Sequence, residues 1–228
     1  MKNLTAFGIL LTLLIAAVGL ACSTQQPAPP TNNAVDHSGH DMSNMNGNGM
    51  SNGNGHDMSK MGHGGTTAPG ASEQPYDLQF IDSMIHHHEG ALQMADMVLG
   101  KTERKQMKDF AQKIIDDQKK EIEQMRQWRE QWYPGKPAAL NMELPGMKGG
   151  TEMMNSEHMK EMDDMEPAHF DNHFFTMMTK HHEGAVEMSK DALARLEHPE
   201  LKSLAERIIK AQEAEIKQMQ QWKAEWKK

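Results

Sequence analysis

The feature that most constrains the fold of this chain is an internal repeat, whose two copies, residues 76–133 and residues 170–228, align at a constant offset of 94 positions. The repeat is clearest in the motif His-His-Glu-Gly-Ala, which occurs at residues 87–91 and again at residues 181–185. Far downstream of the motif, the same offset pairs Trp132 with Trp226. A duplication on this scale indicates that the fold contains two copies of one supersecondary unit.

Each copy has the pattern of two helices joined by a tight turn. In the first copy, apolar residues recur every three or four positions from Asp77, the expected N-cap, up to Gly100, as on one face of an amphipathic helix. A second helix is expected from Thr102, as its cap, to Trp132, where a Pro-Gly pair ends it. Since only about three residues separate the two helices, they form an antiparallel hairpin.

The second copy predicts a matching hairpin. Asp171 is the expected cap of its first helix, which runs to about Leu196, and its second helix begins near Pro199. Because neither hairpin buries its apolar stripe alone, the pair predicts an all-α four-helix bundle over residues 76–228.

The connector between the hairpins, residues 134–169, is rich in methionine and has the pattern of a short helix near residues 156–165. It is long enough to cross the full length of a helix, so both an up-down-up-down and a crossover topology remain open. The four tryptophans of the repeats are expected to pack at one end of the bundle.

The N-terminus has the pattern of an export signal. A basic start is followed by an almost continuous apolar run over residues 4–20 and by small residues before Cys22, which predicts a signal peptide at residues 1–21. Cleavage there leaves Cys22 as the first residue, where bacterial lipoproteins carry their lipid; secretion with a free N-terminus is the alternative. Both interpretations place the mature protein outside the cytoplasm, in the periplasm or on the outer face of a membrane. Because Cys22 is the single cysteine, an internal disulfide framework is excluded.

Residues 22–75 are rich in Pro, Asn, Gly and Ser and contain almost no branched aliphatic residues. Such a segment cannot bury enough apolar surface to offset its conformational entropy, so it is predicted to be a disordered linker. Histidine and methionine also recur along it, with His-Asp-Met at both 40–42 and 56–58. A plain tether does not need these residues, whereas thioether sulfur suits Cu(I) and imidazole suits copper and zinc. We therefore expect the linker to bind metal loosely as well as to tether the domain.

Composition narrows the classes of partner. The formal net charge is -8, and there is no basic patch interleaved with aromatic residues, so nucleic acid is not an expected partner. Methionine is the outlier, with 22 of 228 residues, and 13 residues are histidine. This composition points to metal binding.

Two sets of side chains in the repeated motif are candidate metal ligands. Residues three, four or seven positions apart share a face of a helix, so one stripe in each repeat carries two methionines and two histidines. The stripes are Met84, His87, His88 and Met94 in the first repeat and Met178, His181, His182 and Met188 in the second. In the alternative interpretation the methionines fill the core and the histidines hydrogen-bond within the bundle. Metal ligation explains the pattern better, because imidazoles on an apolar face cost free energy unless they find partners, and the pair recurs in both repeats.

Two other pairs of motif residues are expected to support the histidines. Gly90 and Gly184 interrupt their helices at a cost of roughly 1 kcal/mol relative to Ala, which indicates a close approach of another helix. Glu89 and Glu183 either accept hydrogen bonds from imidazole N–H groups or are solvated charges.

A third repeated element is Gln-x-x-Glu, at residues 118–121 and 212–215. It falls at the edge of the inner helical face, where its side chains are placed to hydrogen-bond the histidines of a facing helix. One position breaks the repeat next to the motif, because His86 corresponds to Lys180.

These motifs resemble those of a known family. The histidine motif with Phe-x-x-x-Met before it and Met after it, and the later Gln-x-x-Glu-Ile-x-x-Met-x-x-Trp, are similar to the ferritin-like family named domain of unknown function 305. The resemblance implies an exported, ferritin-like four-helix bundle, and some members of that family are copper-binding proteins of copper resistance. It also implies that the eight methionines and histidines of the two stripes are the ligands.

The favoured function is that of a cell-envelope protein that sequesters, buffers or delivers copper through Met and His ligands. Cu(I) is the favoured ion, with Cu(II) or silver as alternatives. The expected partners are copper ions, the membrane through a lipid on Cys22, and an envelope copper transporter or oxidase.

Two alternatives stand beside copper binding. A ferritin-like redox enzyme with a dinuclear metal site needs Glu-x-x-His on two helices. Only Glu166 and His169 have that spacing, and they enclose Pro167 outside the repeats, so we expect a protein that is not an enzyme. The other alternative is an exported bundle whose methionines absorb oxidants, and folding without copper affinity would favour it.

Overall fold

The structure is a computed structural model that describes residues 65–151 and 156–226. Every regular element in these two ranges is a helix. None of the helices there combines the length and the apolar character that a membrane span requires. The predicted signal peptide, Cys22 and the predicted linker up to residue 64 lie outside the described residues.

Four long helices form the predicted bundle, and two short helices lie in the connector. In chain order the helices are α1 (Tyr76–Lys101), α2 (Lys105–Trp132), α3 (Met147–Thr151), α4 (Ser156–Asp164), α5 (Pro167–Ala192) and α6 (Pro199–Glu225). The first hairpin is α1 with α2, and the second is α5 with α6. The short helix predicted in the connector is α4, whereas α3 is not predicted by the sequence.

A proline, rather than the predicted aspartate cap, lies at the start of the first helix of each hairpin. Pro75 is the N-cap of α1, and Pro167 opens α5. Proline suits the first helical turn because its missing N–H group leaves no intrahelical hydrogen bond unmade there. The predicted caps Asp77 and Asp171 therefore lie inside their helices.

Other helix ends differ from the prediction by a few residues. Arg104 is the N-cap of α2 in place of Thr102, whose hydroxyl accepts a hydrogen bond from the Arg104 N–H group at 3.2 Å. α5 ends at Ala192, before the predicted Leu196, and α6 begins at the predicted Pro199.

The two aspartates bind the other hairpin instead of capping their own helices. The carboxylate of Asp77 accepts hydrogen bonds from the backbone N–H groups of Glu197 and His198 and lies 2.6 Å from His198 Nδ1. Asp171 accepts a hydrogen bond from Arg104 Nε at 2.9 Å. Because His198 and Arg104 are equivalent at the offset of 94, the same pair of positions meets twice, with different hydrogen bonds.

These paired contacts define a crossover topology. The start of α1 meets the start of α6, and the start of α5 meets the start of α2, so the hairpins pack antiparallel to each other. The connector therefore runs from one end of the bundle to the other. The prediction that all the tryptophans lie at one end is wrong: Trp132 stacks on His198 at one end, and Trp226 packs against Arg104 at the opposite end.

The core consists of the apolar stripes that the helical periodicity predicts. The equivalent residues Phe80 and Phe174 are both completely buried. Burying a side chain of this kind is worth about 1.5–3 kcal/mol, so these two equivalent residues each contribute to the stability of the bundle. Much of the core is thioether, since the completely buried residues include Met84, Met94, Met107, Met125, Met147, Met162, Met178, Met188 and Met219.

Part of the segment predicted to be disordered is ordered. The sequence predicts disorder up to residue 75, but residues 65–75 contain a 3-10 helix, Ala71–Glu73, and lie along the connector. The N–H group of Ala68 donates to the carbonyl of Leu140 at 2.8 Å, and the N–H group of Met142 donates to the hydroxyl of Thr67 at 3.1 Å. Because these partners lie far downstream in the chain, local composition does not show them.

Candidate metal centre

The four motif histidines meet inside the bundle. His87 and His88 lie on α1, His181 and His182 lie on α5, and each is at most 1 % exposed. The rings of His87 and His181 have centroids 3.9 Å apart, with their planes at 43°. The centroids of the neighbouring His181 and His182 rings are 6.3 Å apart. The histidines of the two predicted ligand sets, one pair from each hairpin, therefore come together in one cluster, which we call the histidine cluster.

Two glutamates orient two of these rings. Glu121 Oε2 lies 2.7 Å from His88 Nε2, and Glu215 Oε2 lies 2.9 Å from His182 Nε2. An ionised carboxylate only accepts hydrogen bonds, so each Nε2 donates its proton, and in the neutral form of the ring Nδ1 keeps its lone pair. A carboxylate in this position fixes the tautomer and orientation of an imidazole that binds a metal through its other nitrogen. The sequence prediction for the glutamates of Gln-x-x-Glu is confirmed.

The environment of Glu215 keeps it ionised. Burial by itself raises the pKa of this carboxyl, but hydrogen bonds and charge interactions with His182 and Lys113 outweigh burial and hold the pKa below its ordinary value. Lys113 reaches Glu215 from α2 at 2.9 Å, so this contact also joins the two hairpins.

Six ring nitrogens of the histidine cluster are buried and have no hydrogen-bond partner in residues 65–151 and 156–226. They are both nitrogens of His87, both nitrogens of His181, and the Nδ1 atoms of His88 and His182. A buried polar atom without a partner costs roughly 1–3 kcal/mol, so these side chains are poor choices for packing alone. A metal ion is a suitable partner for such a nitrogen, because it binds the lone pair of a neutral imidazole.

Burial also keeps the two facing rings neutral. It lowers the pKa of His87 and of His181 well below 6.5, and the charges of the neighbouring histidines add to the effect. Each ring is therefore uncharged at neutral pH, and one of its nitrogens offers a lone pair without first losing a proton.

The four predicted methionines are buried on the same helices. Met84, Met94, Met178 and Met188 are all 0 % exposed and belong to the apolar core. Met84 lies one turn before His87 and Met94 two turns after it, and the other two have the equivalent positions on α5. Thioether sulfur is a weak hydrogen-bond acceptor but a good ligand for a soft metal ion.

The connector covers one side of the histidine cluster with glycines. Gly146, whose φ is +80°, packs against the backbone of Gly184 on α5, and α3 then places Gly150 against His87. A Cβ on Gly150 would overlap His87 Nε2, and a Cβ on Gly184 would lie 3.1 Å from the same atom. The missing side chains let the backbone of the connector and of α5 approach His87 closely.

The close approach predicted at Gly184 is thus confirmed, but its partner is the connector rather than another long helix. The sequence does not reveal the part played by Gly146 and Gly150. A Lys-Gly-Gly run is typical of a turn, and its place next to the histidines depends on the crossover topology.

The remaining polar residues of the motifs have other surroundings. Glu89 forms an ion pair with Arg126 at 2.7 Å, and Glu183 is exposed. Glu183 thus fits the predicted role of a solvated charge, whereas the Glu89 side chain is only 11 % exposed and binds an arginine instead of a histidine. Gln118, one turn before Glu121, is buried, and neither polar atom of its side-chain amide has a partner in the described part of the chain.

Comparison with known proteins identifies the family. The family model described as domain of unknown function (DUF305) matches residues 77–223, which span both hairpins and the connector. The chain belongs to the DUF305 family. This match confirms the resemblance seen in the sequence motifs. No curated protein matches the chain.

Solved structures of DUF305 proteins share the fold. CopM in its Cu(II)-bound form is 36% identical, with a TM-score of 0.56, and the match covers 66% of this chain and 97% of CopM. CopM in its Cu(I)-bound form is 34% identical, with a TM-score of 0.52, over 67% of this chain and 98% of CopM. A DUF305 protein from Streptomyces coelicolor that is described as secreted is 26% identical, with a TM-score of 0.59, over 67% of this chain and 92% of its own. Silver-bound and apo forms of CopM match as well.

Proposed function

We propose that this DUF305 protein binds copper, as Cu(I), through the buried histidines and methionines of its two repeats. Copper is its cargo, which the protein sequesters, buffers or delivers in the cell envelope. The observation that carries the proposal is the group of six buried imidazole nitrogens that have no hydrogen-bond partner in the described residues and lie within a methionine-rich core.

The donor atoms favour a soft ion. Within residues 65–151 and 156–226, no group of three or more His, Cys, Asp or Glu side chains is arranged to hold a metal ion. The imidazoles therefore need ligands of another kind, and the buried thioethers on the same helices supply them. Thioether sulfur selects Cu(I) over hard cations such as Mg²⁺ or Ca²⁺, and silver is expected to compete for the same reason. Structures of CopM with Cu(I), Cu(II) and silver support this choice of ion.

The carboxylates favour binding without catalysis over a dinuclear redox enzyme. An enzyme of that type directs a Glu from two helices and a Glu-x-x-His from two others into the bundle. Here Glu121 and Glu215 accept hydrogen bonds from histidines of the cluster. Glu166 and His169 are exposed at the start of α5.

We also propose an extracytoplasmic location. The predicted signal peptide at residues 1–21 supports it, and a related DUF305 protein is described as secreted. A lipid on Cys22 would hold the protein at the membrane, where an envelope copper transporter or oxidase is the expected recipient of the ion. Fractionation tests the anchor, because Cys22→Ala should move the protein to the soluble fraction or block its processing. An unchanged distribution would favour a different mode of retention.

Competitive titration with a chromophoric Cu(I) chelator tests the binding proposal. We expect the double variant His87→Leu with His181→Leu to lose the tightest site of the mature protein. The matched control is His169→Leu, which removes an exposed histidine of α5 and should leave that site unchanged. If the double variant binds Cu(I) with the same stoichiometry and affinity as the wild type, the facing histidines are structural and the proposal fails.

A further inference from the structure

A second nitrogen and sulfur pair lies outside the histidine cluster. His86 and Met142 converge where Gly65 packs against α1. His86 Nε2 lies 2.6 Å, and Met142 Sδ 3.2 Å, from the position that a Cβ on Gly65 would occupy. Metal–nitrogen and metal–sulfur bonds in proteins are about 2.0–2.3 Å long, so one ion between these two atoms is within reach of both after a small adjustment.

Hydrogen bonds to α1 hold the segment that carries Met142. The N–H group of Asn141 donates to the hydroxyl of Ser83 at 3.0 Å, and the Asn141 side-chain amide donates to Gln79 at 2.8 Å. Gln79, Ser83 and His86 follow one another at four- and three-residue spacing, so they share one face of α1. The connector therefore lies along this face and brings Met142 next to His86.

The internal repeat shows that this arrangement belongs to the first hairpin alone. The residues equivalent to His86 and Ser83 are Lys180, which is exposed, and Met177. A lysine is protonated at neutral pH and does not bind a metal ion. The first hairpin thus departs from the second at two positions on the face that the connector contacts, and one of the two changes adds an imidazole.

We propose that His86 and Met142 form a second Cu(I) site, which takes up the ion at the surface before it enters the histidine cluster. The site is separate from the histidine cluster and relies on the proposed function only for the identity of the ion. Imidazole and thioether together suit a soft monovalent ion of low coordination number.

Accessibility and position support a role in uptake. His86 and Met142 are both half-buried, whereas His87 and His88 are completely buried, so an ion from solvent meets the outer pair first. The Met- and His-rich sequence before residue 65 leads directly into Gly65, so the predicted metal-binding linker adjoins this site along the chain.

Methyl NMR of methionine, with Ag(I) as the probe, tests the site in the full mature chain. Ag(I) is soft and redox-stable, and Met142→Leu assigns the Met142 methyl resonance. We expect this resonance to shift on addition of Ag(I) to the wild type. In His86→Lys, which installs the residue of the second repeat, we expect no shift and one fewer Ag(I) bound per chain. The matched control Lys180→Ala should give the wild-type shift.

The outcomes separate this inference from the proposed function. If the Met142 resonance stays in place at saturating Ag(I), or shifts equally in His86→Lys, the second site does not exist. Shifts of the Met84 and Met178 resonances in His86→Lys report on the histidine cluster independently. Circular dichroism checks the fold of each variant, and His86→Gln serves as a second variant that keeps the size and polarity of the side chain.

Discussion

His87 of the first repeat and His181 of the second face each other across the bundle, with ring centroids 3.9 Å apart and no hydrogen-bond partner for either ring in the described residues. This contact is a consequence of the duplication. When a hairpin packs antiparallel on its own copy, equivalent residues near the axis between them come together. Each hairpin therefore supplies one of the two facing imidazoles.

The stability of the metal-free protein is expected to decrease as the pH falls below about 6.5. Burial lowers the pKa of His87 and of His181 in the folded state well below 6.5, their ordinary value. In the unfolded chain both residues take up protons near that pH, so below it the unfolded state binds more protons and the free energy of unfolding falls. Above it this contribution to stability is fully present.

Thermal unfolding of the metal-free protein between about pH 7.5 and 5 measures this dependence. The double variant His87→Leu with His181→Leu serves as the reference, because it keeps all other titrating groups. Its melting temperature should fall less steeply with pH than that of the wild type. Parallel curves for the two proteins would mean that the histidines are not buried in the neutral form.

Glu121→Gln and Glu215→Gln are each expected to weaken Cu(I) binding by about 10–100-fold, the usual effect of removing a carboxylate that orients a metal-binding imidazole. The neutral amide stabilises the tautomer that leaves Nδ1 unprotonated less than a carboxylate does, because its oxygen is a weaker acceptor and its NH₂ group can donate to Nε2 instead. Competitive Cu(I) titration measures the effect. Glu183→Gln is the matched control, since Glu183 is exposed, and it should retain the wild-type affinity. Equal Cu(I) affinities in all three variants would show that Glu121 and Glu215 have no role in Cu(I) binding.

Gly150→Ala is expected to weaken Cu(I) binding and to destabilise the fold by about 1–3 kcal/mol, the usual range for overpacking. The new Cβ would overlap His87 Nε2, so the ring or α3 must move. The adjacent Gly149→Ala is the control, because a Cβ there meets nothing within 4 Å. It should be neutral or slightly stabilising, since Ala favours a helix over Gly. Denaturant unfolding combined with Cu(I) titration distinguishes the two variants, and identical behaviour would contradict the packing of α3 on His87.

Asp77→Asn is expected to destabilise the bundle by about 1–3 kcal/mol. The Asp77 carboxylate is 2 % exposed and accepts two backbone N–H groups at the start of α6, and an amide has only one accepting atom. Asp171→Asn provides the comparison. Its partner Arg104 has a side chain that is 50% exposed, so this ion pair contributes roughly 0–1 kcal/mol. In urea unfolding, Asp77→Asn should lose much more stability than Asp171→Asn. The reverse order would show that the contact between Asp77 and the start of α6 does not join the hairpins.

The parts of the molecule that could be predicted from the sequence are those determined by local periodicity. The hairpins and the stripe that carries Met84 and His87 follow from three- and four-residue spacing, and the repeat doubles the evidence for each. The assignment of Asp77 as an N-cap fails for a physical reason. An acidic residue near a helix start is typical both of a cap and of a first-turn residue, and only its contact with His198 separates the two.

The features that could not be predicted from the sequence depend on how distant segments of the chain pack against each other. The place of Gly150 beside His87 requires the crossover connector, and the sequence leaves that topology open. The expected pH dependence of Cu(I) binding also changes with packing. A histidine with an ordinary pKa predicts that binding weakens near pH 6.5. Because burial lowers the pKa of His87 and His181, we expect Cu(I) binding by this pair to persist to lower pH.

X-ray absorption at the copper edge, on the mature protein loaded with one equivalent of Cu(I), tests the central claim most directly. We predict a coordination shell that contains both nitrogen from imidazole and sulfur from methionine, with the nitrogen contribution reduced in the double variant His87→Leu with His181→Leu. A shell of nitrogen and oxygen without sulfur, or a spectrum unchanged in that variant, would contradict a Met and His site at the facing histidines.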